Sequence, residues 1–272
     1  KNMGRNAVAA AAIFYGFAMF ISSAGLIHSA KQSVLDWIDA TIRADILVTS
    51  GHPLATSGSR NIPMPVEMWK ELEKVPGVLS ADPFRKSYLD YQEGRILLLV
   101  MDVARRIQYS PFIIASGDRK KMAGLLPHQD NVAVNEGFSS KYGIKPGDSI
   151  VLPTPAGPVR FSVEVIIVDY TSDSGSILMD IHTYQRHWGE YLADDFSVRV
   201  KSKNDIAAVR EAIVNRFGAE RNLFVLPSGE FKLEIHKVID QLFTIIRSIS
   251  VVTMTIAGIG IIVTLLASVF DR

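Results

Sequence analysis

The chain has 272 residues, a formal net charge of +1 and no cysteine. That charge excludes a polycationic nucleic-acid binder, and the lack of thiols excludes disulfides and thiolate metal sites. Hydrophobic residues make up 48%, ordinary for a globular protein with some membrane-embedded length added, and the excess lies at the two ends.

Ala7–Ile27 (AVAAAAIFYGFAMFISSAGLI) carries no charge and is long enough to cross a hydrocarbon core of ~30 Å as a helix. A signal peptide is the competing reading, but such peptides have apolar runs of only ~7–15 residues. This run also continues into helix-compatible sequence. Lys1 and Arg5 precede it, which places the N-terminus in the cytoplasm by the positive-inside tendency. Beyond it, Ile27, Ala30, Val34, Trp37 and Thr41 keep a three-four spacing through HSAKQSVLDWIDATIRAD. The spacing predicts that the helix continues as a stalk. Val34 and Trp37 are expected to pack against Val238 and Leu242, or their neighbours, on the C-terminal helix.

The middle of the chain is long enough for one or two soluble domains. Asp45–Ser50 (DILVTS) reads as a strand, and SGHPLATSGSRNIP as a loop. Pro65 suits the first turn of a helix whose apolar side is Met68, Trp69, Leu72 and Val75, stopped by Pro76-Gly77. VLSADP follows as a short strand. A second strand-helix-strand unit closes the segment: FSVRV at 196–200, a helix capped at Asn204 with Ile206, Val209, Ile213 and Phe217 on one face, and LFVL at 223–226. Two such units flanking a large insert point to an αβ sandwich of ferredoxin-like type built from both ends of the segment.

The insert, roughly 84–188, reads as mostly β. SYLDYQ and RILLLVMDV flank a hairpin candidate at Glu93-Gly94. NVAVNE is a strand, EGFSSKYG a short helix, and IKPGDSIVL a turn entering a strand. Pro155-Ala156-Gly157 turns into VRFSVEVIIVDY, with Phe161, Val163, Val165 and Ile167 expected on one side and Ser162 and Glu164 on the other. SILMD is a further strand. The composition is that of a small barrel or sandwich.

The last stretch organises the rest. Ser248–Phe270 is free of formal charge and reads as a second span. Before it, Phe231, Ile235, Val238, Leu242, Ile245, Ile249 and Val252 alternate steps of four and three. That is the seam of a helix that packs on another helix. Read as one rod, Phe231–Phe270 extends roughly 60 Å at ~1.5 Å per residue. Small residues recur four apart on both spans: Ala12 and Gly16, Ala18 and Ser22, then Gly260, Thr264 and Ser268. Such faces let helices approach closely in lipid. Neither span holds an Asp, Glu, His, Lys or Arg, which argues against a proton relay or ion path along them.

Catalytic and metal chemistry finds little footing. His28, His52, His128, His182, His187 and His236 are scattered, and His182 and His187 do not share a helix face well. Asp169, Asp173 and Asp180 lie in a polar loop whose spacing fits no EF-hand, so a solvated turn is expected. Arg85, Lys86, Arg119, Lys120 and Lys121 are expected on a solvated face. There is no G-x-S-x-G elbow and no G-x-x-x-x-G-K-[ST] loop. The expectation is a non-enzyme with no cofactor and no metal.

The order of these pieces resembles a known family. An apolar span, a DILV strand, a helix ending Val75-Pro76-Gly77-Val78, an NVAVNEGFSSKYGIKPGDSIVL stretch with its turn at Tyr142–Asp148, and a stalk entering a Gly-containing span follow one another. The chain is similar to FtsX-like ABC transporter permeases with a MacB-like periplasmic core. The resemblance implies an α+β membrane protein. It has two transmembrane helices extended as stalks, and a ferredoxin-like αβ porter-type subdomain with an inserted mostly-β subdomain. The implied bounds are 1–44 (first helix and stalk), 45–83 and 191–227 (porter-like parts), 84–190 (insert) and 228–272 (stalk and second helix). The implied function is a permease subunit of the FtsX/MacB/lipoprotein-releasing type in the cytoplasmic (inner) membrane, multi-pass, with its central domain outside. Its helices would transmit movement driven by a cytoplasmic ABC ATPase. The implied partners are that ATPase, a second permease copy or homologous half, a periplasmic or outer-membrane protein, and membrane lipid; nucleic acid is not among them. With two spans where such permeases have at least four, the chain is expected to be either the front of a four-span protein or the second repeat of a longer one. The alternative, on spans and stalks alone, is a two-span sensor with an external ligand-binding domain.

Overall fold

The computed structural model describes residues 3–51, 62–118, 120–122, 129–218 and 223–270. Neither terminal stretch contains proline, and each forms one long helix: α1 over Met3–Thr41 and a final helix over Ser228–Phe270. Ser228–Gly260 is the one helix among the described residues that is long and apolar enough to cross a membrane. The expected first span overlaps residues whose side chains lie outside the described set. The chain divides into two compact units: Lys1–Asp36 with Leu233–Arg272, and Trp37–Lys232.

The second unit is built on one ten-stranded sheet. In chain order its elements are β1 (Ile46–Thr49), β2 (Met64–Pro65), α2 (Met68–Leu72), β3 (Val78–Tyr91), β4 (Gly94–Met101), α3 (Val103–Tyr109), β5 (Ile114–Ser116) and β6 (Asn131–Asn135). Then come α4 (Glu136–Tyr142), β7 (Ser149–Thr154), β8 (Gly157–Ile167), β9 (Ser176–Asp180), α5 (Ile181–Trp188), β10 (Leu192–Ala193), β11 (Asp195–Val200), α6 (Ile206–Ile213), β12 (Phe224–Pro227) and α7, the final helix. The small strands β2 and β10 pair apart from the main sheet. Most of the expected loop after β1 lies outside the described residues.

One end of the sheet runs β12-β1-β11-β3, antiparallel throughout. Helices α2 and α6 cover it, so Ile46 and Val48, Phe196 and Val198, Met68 and Leu72, and Val209 and Ile213 share one core. The turn from α2 into β3 passes tight beneath α6. Gly77 has φ +89°, and a Cβ there would lie 2.7 Å from Val209 Cγ2, so only glycine suits it.

The rest continues β3-β4-β9-β6-β8-β5, with β7 on β8. The β4–β9 and β6–β8 pairs are parallel. Central strands are covered on both faces, which is why β4 reads as an unbroken apolar run rather than an alternating one. Ile96, Leu98 and Val100 face one core with Phe138 of α4 and Tyr184 of α5. Leu97 and Leu99 face another with Val103 of α3.

Three expectations are corrected here. The insert is not a separate barrel or sandwich: its strands extend the same sheet, and α3 and α5, which the alternation did not reveal, cover them. The hairpin loop is Gln92-Glu93, since Tyr91 pairs with Gly94, and Gln92 takes φ 50°. Finally, Phe161, Val163, Val165 and Ile167 do not share a side. Between Val132 and Ala133 the pairing jumps from Val163 to Val165. The extra residue, Glu164, reverses the alternation, so Phe161 and Val163 enter one core while Val165 and Ile167 enter the other.

Candidate functional site where both long helices join the sheet

The last turn of α1 lies in the sheet unit, and that unit grips it from three directions. Trp37 is half-buried; its indole Nε1 donates to the Val168 carbonyl at 3.1 Å, just past β8, and its ring meets Tyr170 edge-on at 5.4 Å. Next to it, Ile38 is buried. Arg106 of α3 donates through Nη2 to the Thr41 carbonyl at 2.5 Å. Helix α1 has no cation in its own last turn, so Arg106 supplies the charge that a helix C-terminus favours. Lys232, near the start of α7, pairs with Asp39 at 3.1 Å.

Asp45 then joins three elements. Its N–H donates to Val198 at 2.9 Å, its carboxylate accepts from the Val200 N–H at 2.9 Å, and its carbonyl accepts from the Ser228 N–H at 2.8 Å. The exit of α1, strand β11 and the entry of α7 therefore meet at one residue. With both backbone groups and its carboxylate engaged, Asp45 is held against β11 and the start of α7.

Charges are packed under this junction. Burial lowers the Arg106 guanidinium to about 10, helped by the nearby Arg199 charge and opposed by Asp82 and Asp195. Burial likewise pushes the Asp195 carboxyl up to about 6, with Asp194 adding to it and Lys86 and Arg106 opposing. Arg199 pairs with Asp82 and lies over the Tyr109 ring at 4.4 Å. Arg105 bridges Asp82 at 3.0 Å and also Glu73 of the α2 C-cap, and lies over Trp69 at 4.9 Å. Removing one member of such a network strands the others in low dielectric. No nucleophile-base pair is among these residues.

The family described as the MacB-like periplasmic core domain matches residues 7–216. The chain belongs to that family. The family resemblance drawn from motif order is borne out. An uncharacterized ABC transporter permease protein of Mycobacterium tuberculosis is 24% identical over 275 residues, covering 100% of this chain and 32% of the relative. The chain thus spans about a third of that relative's length. The periplasmic region of MacB from Actinobacillus actinomycetemcomitans superposes with a TM-score of 0.51 at 14% identity, over 73% of this chain and 95% of that one. That likeness shows the mixed α/β fold. The extracellular domain of the noncanonic ABC-type transporter YknZ from Gram-positive bacteria gives a TM-score of 0.47 at 12% identity, over 67% and 99%.

In this MacB-like core domain, the expected packing residues differ in exposure. Trp37 sits on Val168 and Tyr170. Val34, Phe231 and Ile235 are half-buried, whereas Val238, Leu242 and Ile245 are 46%, 51% and 58% exposed. Ile239, Phe243, Ser250 and Met254 of α7 are likewise half-buried. Several three-four stripes can be drawn through the apolar residues of α7, and spacing alone does not choose among them. Gly16, Ala18, Ser22 and Gly260 are exposed. A Cβ built on Gly16 or Gly260 would meet no described atom within 4 Å. The side chains of Ala12, Thr264 and Ser268 lie outside the described residues.

The polar candidates have structural employment. Asp180 caps α5 and also accepts from the Val103 N–H, and Asp169 accepts from Thr171 and Ser176. His182 contacts Asp180 at 3.1 Å and His187 contacts Asp130 at 2.7 Å. His52, His128 and Arg119 lie outside the described residues. Arg85 is not solvated as expected: it is clamped between Glu190 at 2.5 Å and Asp194 at 2.6 Å. Sequence reading missed Arg106, Asp195 and Asp45. The tandem pairs Arg105-Arg106 and Asp194-Asp195 were the available signal, because paired like charges beside apolar runs mark a face that is not wholly solvated.

Proposed function

We propose that this chain is the extracytoplasmic core, with its two flanking membrane helices, of a permease subunit of an ABC transporter of the FtsX/MacB/lipoprotein-releasing type. On this reading the subunit is multi-pass in the cytoplasmic (inner) membrane and its central domain faces outward. A cytoplasmic ABC ATPase performs the chemistry, and this chain is neither an enzyme nor a cofactor carrier. The observation that carries the reading is the unbroken run of α1 and α7 from apolar stretches to residues clasped by the sheet unit, Trp37, Thr41 and Ser228. Such rods can carry ATP-driven movement to the sheet domain.

Finer assignments follow the same reading. The β12-β1-β11-β3 order with α2 and α6 supports a ferredoxin-like porter part formed by 45–83 and 191–227, with 84–190 as its insert. The exposed stripe of Val238, Leu242 and Ile245, and the small residues Ala12, Gly16, Ala18, Ser22, Gly260, Thr264 and Ser268, would face a second permease copy or homologous half. A periplasmic or outer-membrane partner would meet the outer domain. The two-span sensor gains no support from the family match.

The test is affinity purification of the full-length protein from its own membranes, with ATPase activity measured on the recovered complex. We expect a cytoplasmic nucleotide-binding subunit to be recovered. Consistent failure to recover one sinks the permease reading. A flexible Gly-Ser insertion after Arg43 should leave that subunit bound yet abolish transport; an insertion without effect would sink the transmission step alone.

A further inference from the structure

Within the helical unit, α1 and α7 enclose a cleft of about 430 Å³, inside the ~300–1,000 Å³ range of small-ligand sites. Its walls combine two chemistries. Phe20 and Phe243 are apolar, while His28, Lys31, Asp240 and Arg247 bring charge or a titratable ring. The placement in sequence is systematic. On α1 the charge-free run ends at Ile27, immediately before His28 and Lys31; on α7 it begins at Ser248, immediately after Arg247. The cleft therefore gathers the first cations beyond the apolar run of each helix.

The charges in the cleft do not cancel. Asp240 engages Lys31 at 2.8 Å. Among the described residues, Arg247 has no ion pair and no side-chain hydrogen bond. One acid thus faces two permanent cations. Isolated Lys and Arg at span ends commonly snorkel outward, each on its own. Here, residues from two antiparallel helices converge on one cavity with an aromatic floor.

We propose that this cleft binds the phosphodiester of an anionic glycerophospholipid, with Arg247 and Lys31 on the phosphate and Phe20 and Phe243 against the glycerol and upper acyl chain. Arginine's planar fork matches phosphate oxygens. At the edge of a hydrocarbon core the abundant anion is a lipid phosphodiester. The apolar wall would contribute nothing to a free phosphate. This inference rests on the reading that both helices cross the bilayer.

The experiment reconstitutes the full-length protein in phosphatidylcholine nanodiscs doped with either phosphatidylglycerol or diacylglycerol of the same chains, and counts retained lipid by native mass spectrometry. Phosphatidylglycerol should be retained about fivefold over diacylglycerol, and Arg247→Gln should bring the two to parity. Asp240→Asn frees Lys31, so it should raise phosphatidylglycerol retention about threefold; a merely structural Lys31–Asp240 pair predicts a decrease instead. Equal retention of the two lipids, or no effect of Arg247→Gln, overturns the proposal. Displacement by millimolar inorganic phosphate also overturns it, in favour of the free anion. Alkaline extraction separates the two levels. A protein that leaves the membrane sinks the span reading, whereas one that stays but does not discriminate lipids sinks only the lipid site.

Discussion

The indole nitrogen of Trp37 donates to the carbonyl oxygen of Val168 at 3.1 Å. The two residues are 131 positions apart, and the bond ties the end of the first long helix to the strand that carries the β8 bulge. Trp37→Phe should keep the edge-on contact with Tyr170 and lose only the donor, costing about 1 kcal/mol. Trp37→Ala should cost about 3 kcal/mol by also losing the ring. Urea unfolding of the protein in detergent, followed by near-UV circular dichroism, measures both. Equal costs for the two variants would show that the bond, not the packing, carries the contact.

Arg106→Met should destabilise the sheet domain by about 1–3 kcal/mol. It removes the donor to Thr41 and leaves Asp195 with one fewer opposing charge. Because Arg106 opposes the Asp195 charge, the double variant Arg106→Met with Asp195→Asn should be more stable than the sum of the two single effects by at least about 0.5 kcal/mol at neutral pH. Strict additivity in a double-mutant cycle would separate the two residues energetically.

Asp195 predicts a pH dependence of definite sign. Its carboxyl is raised from 3.8 to about 6 in the folded protein, so between about pH 4 and pH 6 the folded state holds a proton that the unfolded state has released. This group's contribution therefore falls as pH rises from about 4 to about 6, and is constant above that. A shift of about two pH units corresponds to on the order of 3 kcal/mol. Asp195→Asn should thus be more stable than the parent at pH 7.5 by about 1–3 kcal/mol, with the advantage gone near pH 4. Thermal unfolding across that range checks it, and an advantage that grows toward acid pH would refute the assignment.

Gly77→Ala should cost about 2–4 kcal/mol, since the new Cβ would meet Val209 Cγ2 at 2.7 Å in a left-handed conformation. Val209→Ala combined with it should recover the steric part but not the backbone part. A variant as stable as the parent would mean the α2–β3 turn can shift away from α6.

Much of this molecule is written locally. The long apolar runs, the Pro76-Gly77 stop, the strand at 196–200 and the step from strand NVAVNE into helix EGFSSKYG all lie close to where side-chain period and turn chemistry put them, because each depends on neighbours within a few residues. Their order is also enough to point to the family. Tertiary structure alone decided the rest. A single bulge at Glu164 sends the second half of β8 to the opposite core, since a period of two inverts with one extra residue. Along α7, Ile239 and Phe243 are half-buried while Val238 and Leu242 are exposed, a difference that apolar spacing does not encode. The junction of Trp37, Asp45, Arg106 and Ser228 joins segments far apart in the chain. Each of its hydrogen bonds uses a backbone carbonyl or amide, and backbone groups, being common to every residue, leave no trace in a sequence.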